Sequence, residues 1–259
     1  MGESRAPQHT PLEAQKALRR AALLTSGGGI GFGVLTVIAW YLLMTARENL
    51  ATIADPQAYY DEGNAFGTEI AALYLLPFAA ILFLWFIVAL RGWIRGTQQR
   101  RNLLISDLQL VSGMVFIAMF LVGAGAVATA AVVAQAAPGE LTTEALIALS
   151  GFGSTVVTVM GVRIGAIFVI ATASLGVTTG VLPRWFNLAS YAFGLLLMLT
   201  PIVANWLVMA FPIWVIVLSV MLLHHLTSLR PEEIPGYAAR YVAQTDDENS
   251  APSASDLLD

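Results

Sequence analysis

Residues 147–176, IALSGFGSTVVTVMGVRIGAIFVIATASLG, decide the class of this chain. With Leu146 in front they form an apolar run longer than the roughly 20 helical residues needed to cross a bilayer's hydrocarbon. In the middle of it stands Arg163. A guanidinium keeps its charge at any depth, and at the bilayer centre it costs about 2.5–3.5 kcal/mol on insertion scales. It must therefore find a partner, line a wet cavity or snorkel to an interface.

The rest of the chain repeats the pattern. Of 259 residues, 57% are hydrophobic and 12% charged, with a mean hydropathy of +0.73, which leaves too little polar material to cover a soluble globule of this size. Further apolar runs occupy about residues 21–45, 68–90 and 108–133. The stretch 186–226 is interrupted by Pro201, Asn205 and Pro212. As one helix it would be about 60 Å long, so it reads as two, 186–202 and 206–226, joined by a turn at PIVAN. The first run follows twenty polar residues and lacks a convincing cleavage site, which makes it a retained helix rather than a signal peptide.

The expected fold is all-α: a polytopic membrane protein with six transmembrane helices. Basic residues set its orientation. Arg5, Lys16, Arg19, Arg20, Arg91, Arg95, Arg100, Arg101, Arg184, Arg230 and Arg240 fall on one side under this assignment, against Arg47 on the other. The positive-inside rule then puts both termini in the cytoplasm. Three regions follow: a polar N-terminus (1–20), a six-helix domain (21–226), and an acidic tail (227–259) whose Ser, Asp and Asn content reads as largely disordered.

On an ideal helix Phe152, Val156 and Ile170 lie within about 20° of Arg163, and only Ser174 adds a hydroxyl to that face, while Ser154 and Thr172 fall roughly opposite. A partner for the charge must come from another helix, a water or a ligand. Asp107, near the start of the third helix, and Glu69, at the start of the second, are the candidate acids, and either also reads as an anion favoured by a helix N-terminus. Gly161 and Gly165 lie about 160° from Arg163 and offer a close-packing face. The run SGGGIGFG in the first helix, with Gly27/Gly31 and Gly29/Gly33 each four apart, reads the same way rather than as a dinucleotide loop.

No catalytic, cofactor-binding or metal-binding residue is expected. His224 and His225 are adjacent and diverge by about 100° on a helix. There is no cysteine, and Lys16 is the only lysine. Several Trp and Tyr residues, including Trp40, Trp85, Trp185 and Trp214, read mainly as interface anchors. The arginine cluster 91–101 suits anionic lipid and positive-inside topology, with no claim to nucleic acid. The expected partners are membrane lipids and a membrane-protein partner or a second copy of the chain.

The six-span layout, the element MGVRIG around Arg163, and the terminal pair GVLPRWFNLASYAFGLLLMLTP and FPIWVIVLSVMLL resemble small multi-span membrane proteins of unknown function from Gram-positive bacteria, the DUF4386-like group. Arg163, Pro183, Arg184, Trp185, Phe211, Pro212 and Trp214 carry the resemblance over about 200 residues. It implies a bacterial plasma-membrane location and adds no catalytic residue. The expected role is structural, accessory or sensory without intrinsic catalysis; the alternative is a small-solute or ion transporter with a polar site around Arg163.

Overall fold

The computed structural model describes residues 11–52, 66–97, 103–136, 142–199 and 205–228. Expectations for the first ten residues, the acidic tail and the connections between these stretches lie outside the described residues. Helix α1 is Pro11–Thr52. Helix α2 comprises Phe66–Glu69, a π-helical turn Ile70–Leu75 and Leu76–Thr97. Helix α3 is Leu103–Ala136. Helix α4 comprises Thr143–Thr155, a second π-helical turn Val156–Gly161 and Val162–Thr179. Helices α5 and α6 are Arg184–Leu199 and Asn205–Ser228.

Five of these helices are long and apolar enough to cross a membrane: Leu23–Thr45, Phe66–Arg91, Leu104–Val133, Glu144–Thr179 and Val208–His225. Helix α5 has 16 residues, about 24 Å of rise against roughly 30 Å of hydrocarbon. The chain is thus an all-α, multi-pass membrane protein. Its outward surface agrees: Tyr74, Phe78, Ile81, Trp85 and Val88 of α2 are exposed, as lipid-facing side chains are.

Neighbouring helices run antiparallel. A Cβ placed on Gly31 of α1 would meet Leu82 of α2, and one on Gly28 would meet Phe86. Gly113 of α3 lies against Ile87 of α2 and Phe168 of α4, and Gly123 against Val157 of α4. Gly176 and Gly194 repeat the relation between α4 and α5, against Asn187 and Ile170. Gly29 and Gly33 of α1 close the ring against Ser219 and Pro212 of α6. The start of α1 and the finish of α6 therefore share one end of the bundle, called the termini end below; α3 starts there, and α2 and α4 finish there.

The centre is aromatic. Phe32 stacks on Phe83 with ring centroids 4.4 Å apart, Phe83 meets Phe116 at 5.5 Å and Phe168 at 5.4 Å, and Phe211 tilts onto Phe116 at 4.6 Å. The five rings come from five different helices, so this layer ties α1, α2, α3, α4 and α6 together. Aromatic pairs of this geometry contribute about 0.5–1.5 kcal/mol each beyond the area they bury. Trp214, one turn from Phe211, also belongs here: it is buried and stacks on Phe186 of α5, a core position rather than an interface anchor.

The glycines of SGGGIGFG divide between two partners. Gly29 and Gly33 face α6, where a Cβ on Gly33 would lie 2.8 Å from the Pro212 carbonyl oxygen. Gly28 and Gly31 face α2, and Gly27 meets nothing. Pro77 explains the first wide turn. Its ring clashes with a carbonyl four residues back in an α-helix and it offers no N–H, and Ile70–Leu75 widens the helix immediately before it.

Candidate functional site

Arg163 sits two residues beyond the second wide turn, Val156–Gly161. There the Val162 N–H donates to the Val157 carbonyl, five residues back instead of four. Return from that spacing to the α-helical one leaves a carbonyl of the turn without its usual backbone donor, which inside a membrane is costly. The Arg163 guanidinium bends back along its own helix, and its Nη1 donates to the Val159 carbonyl oxygen at 2.7 Å. The partner for this charge is thus a dipole of the same helix.

The wide turn also changes which residues share the Arg163 face. It takes up one residue more than an ordinary turn, so side chains before it are rotated by about 100° relative to an ideal helix. Phe152 and Val156 lose their alignment with Arg163; Phe152 is exposed and Val156 buried. Beyond the turn the expectation holds. Ser174 bonds Tyr191 of α5 at 2.8 Å, and Ile170 lies against Gly194, so the Ile170–Ser174 side of α4 is the seam along which α5 packs. Carrying the same antiparallel register onward places Arg163 just past the end of α5 at Leu199. Thr172, on the opposite side, is buried and accepts a hydrogen bond from Gln109 Nε2 of α3 at 3.3 Å.

The two candidate acids are elsewhere. Asp107 is one turn inside α3 near the termini end, where Arg91 Nη2 of α2 donates to its Oδ1. Glu69 is half-buried at the far end of α2, the last residue before the first wide turn. Arg163 is level with the neighbourhood of Met119, the α3 residue nearest a Cβ on Gly161. From there each acid is roughly 15–20 Å of helix rise away, in opposite directions. Among the described residues, neither Arg163 nor Glu69 forms an ion pair.

The apolar window of α4 spans 36 residues, about 54 Å, and no ordinary tilt fits that into 30 Å of hydrocarbon. A position at the middle of this window is therefore not by that fact at the bilayer midplane. Gly165 packs against the rings of Phe211 and Phe116, with a Cβ 3.3 Å from the former, while Gly161 meets nothing closer than 3.4 Å. The tight backbone contact between α4 and α3 is instead at Gly153, whose Cβ would lie 2.6 Å from the Gly123 carbonyl oxygen.

A second polar region went unrecognised in the sequence. On the termini side of the aromatic layer lie buried Ser26, Ser106, Gln109, Thr172, Asn187 and Ser219. Spread over five helices and separated by up to 193 positions in the chain, they leave no local pattern. Among the described residues, no group of three or more His, Asp or Glu side chains is placed to hold a metal ion.

Together these features define a polytopic all-α membrane protein with a closed aromatic centre and two polar regions. In comparisons with known proteins, no family model, no curated protein and no solved structure matches the chain.

Proposed function

We propose that this chain is a six-span protein of the bacterial cell membrane, with both termini cytoplasmic, that serves as a structural, accessory or sensory component and has no catalysis of its own. The observation that carries the reading is the interlocked centre of Phe32, Phe83, Phe116, Phe168 and Phe211, which fills the bundle axis with rings from five helices. The resemblance of MGVRIG and of the terminal helix pair to the DUF4386-like group agrees with it. Helix α5 is the sixth span in this reading, held against α4 and tilted little, with the membrane thinning or its flanks snorkelling to meet its short length. Its basic residue Arg184 and those near the start of α1 and the finish of α2 then lie on the cytoplasmic side.

The rival reading is a small-solute or ion transporter with a polar site around Arg163. What favours it is a half-buried guanidinium bonded to a neutral carbonyl beside a wide helical turn, a combination common at functional positions. Arg163→Ala separates the two. Loss of the protein from the membrane, with recovery in Arg163→Lys, supports a charge needed for assembly. Normal abundance of Arg163→Ala with loss of a measured solute flux overturns the structural reading. Reporter fusions after Ser228 and within residues 53–65 check the orientation, and like-sided signals sink the six-span arrangement.

A further inference from the structure

The exposure of α4 changes at Arg163. From Ile164 to Gly176 every residue of the helix is buried or half-buried under its neighbours. On the other side of Arg163, Met160, Thr155, Phe152 and Gly151 are exposed. The step falls where the cover of α5 stops, at Leu199. The half-buried guanidinium lies on this step and turns away from the termini end, toward Val159. Only Nη1 is bonded there; among the described residues Nε and Nη2 have no partner, and neither is enclosed. Most of the guanidinium's five N–H donors are therefore open at the surface of the bundle. Asp107 is taken by Arg91, and Glu69 lies well beyond reach, so no acid of the described residues meets this charge.

Depth follows from α5, the shortest helix of the bundle. Measured from its start at Arg184, about 30 Å of hydrocarbon ends roughly one turn past Leu199. Arg163 is just below that boundary, and its side chain is drawn one turn outward, as a snorkelling arginine is. We propose that Arg163 anchors a lipid site in the leaflet opposite the termini, where it holds the phosphate of an anionic glycerophospholipid; this rests on the six-span reading, in which α5 crosses the membrane. The planar fork of Nε and Nη2 matches two oxygens of a phosphate, and the Nη1 bond to the Val159 carbonyl holds the fork in place. A zwitterionic headgroup would bring an ammonium beside the guanidinium, with no carboxylate at this level to receive it. An anionic one neutralises the charge. Met160 on α4 and Leu199 at the end of α5 are exposed apolar side chains at the same step, where the acyl chains of such a lipid lie.

The chain has no cysteine, so Met160→Cys carries a single bimane probe one turn from Arg163. The labelled protein is reconstituted with phosphatidylglycerol and phosphatidylcholine, one or the other brominated in its chains, and quenching gives the relative affinity of the two lipids at that place. Phosphatidylglycerol is expected to be preferred by at least ~5-fold, the worth of one arginine near an anionic surface. Arg163→Gln is expected to bring the ratio close to unity, and Arg163→Lys to keep a weaker preference. The same probe at Leu188→Cys, exposed near the termini end, keeps its own ratio in Arg163→Gln if the fold is intact. A ratio near unity with Arg163 in place overturns the proposal whether or not Arg163→Gln folds, and so does a preference that survives in Arg163→Gln. Millimolar inorganic phosphate should leave the ratio unchanged; if it abolishes the preference, the ligand is the free anion and the lipid assignment falls. The crossing of α5 is checked separately with Asn205→Cys, at the start of α6, which an impermeant maleimide should label from the side opposite the termini. Failure there removes the six-span reading and the leaflet with it, while the quenching ratios still decide whether Arg163 holds the lipid.

Discussion

Gly153 and Gly123 bring the backbones of α4 and α3 into direct contact: a Cβ on Gly153 would lie 2.6 Å from the Gly123 carbonyl oxygen, and one on Gly123 would lie 2.8 Å from that of Gly153. Because the obstacle is backbone on both sides, no rotamer change relieves it. Gly153→Ala is expected to destabilise the protein by about 1–3 kcal/mol, the usual range for overpacking, in detergent-micelle thermal or SDS unfolding. Gly151→Ala, two residues away with nothing within 4 Å, is the matched control and is expected to be neutral or slightly stabilising. Equal losses at the two positions would refute the contact.

The α1–α6 seam makes the same contrast in the first helix. Gly33→Ala must push Ile216 and the Pro212 carbonyl oxygen, and is expected to cost about 1–3 kcal/mol. Gly27→Ala meets open space and is expected to cost nothing. The same unfolding measurement applies, and a stable Gly33→Ala would show that α6 does not pack on this face.

Arg91 and Asp107 join the ends of α2 and α3, with side chains 17% and 53% exposed. The exposed half of the pair is screened by water, so the coupling is modest. A double-mutant cycle with Arg91→Met and Asp107→Asn is expected to give about 1 kcal/mol of interaction. Asp107→Asn alone is the more damaging variant, because it strands a largely buried guanidinium. The coupling should shrink as salt is raised, and one that does not differ from zero would remove the pair from the account.

Trp214 Nε1 donates to Ser190 Oγ at 3.0 Å inside the protein, the polar hook between α6 and α5. Ser190→Ala leaves the indole N–H without an acceptor and is expected to cost about 1–2 kcal/mol. Trp214→Phe removes the donor together with much of the stacking on Phe186, and is expected to cost more. If the two variants unfold alike, the hydrogen bond rather than the ring holds α5.

The apolar helices were legible in the sequence because hydrocarbon thickness imposes a length on each, and α1, α2, α3, α4 and α6 appear close to the expected runs. The polar stretch Pro11–Arg20 continues α1 as helix, beyond what hydropathy alone marks. Which side each helix shows to lipid was not legible. Core and lipid are both apolar, so Trp214 in the centre and Trp85 on the surface lie in runs of the same composition. The wide turn of α4 was hidden for a different reason: no proline lies in Thr143–Thr179, and the alignment of Phe152 and Val156 with Arg163 holds only on an unbroken helix. Asp107 was visible as a candidate acid, but its partner Arg91 reads in the sequence only as a topological charge. Pairing across helices depends on register, which hydropathy does not encode.

The turn Val156–Gly161 has a further consequence for chain length. A deletion elsewhere between Gly153 and Phe168 rotates one relative to the other by about 100°, tearing either Gly153 from α3 or Phe168 from the aromatic centre. Inside the wide turn, the loss of one residue would only tighten it into ordinary helix. Both contacts would keep their directions. The turn is thus a spare unit of length, and α4 is tolerant of shortening at this one place.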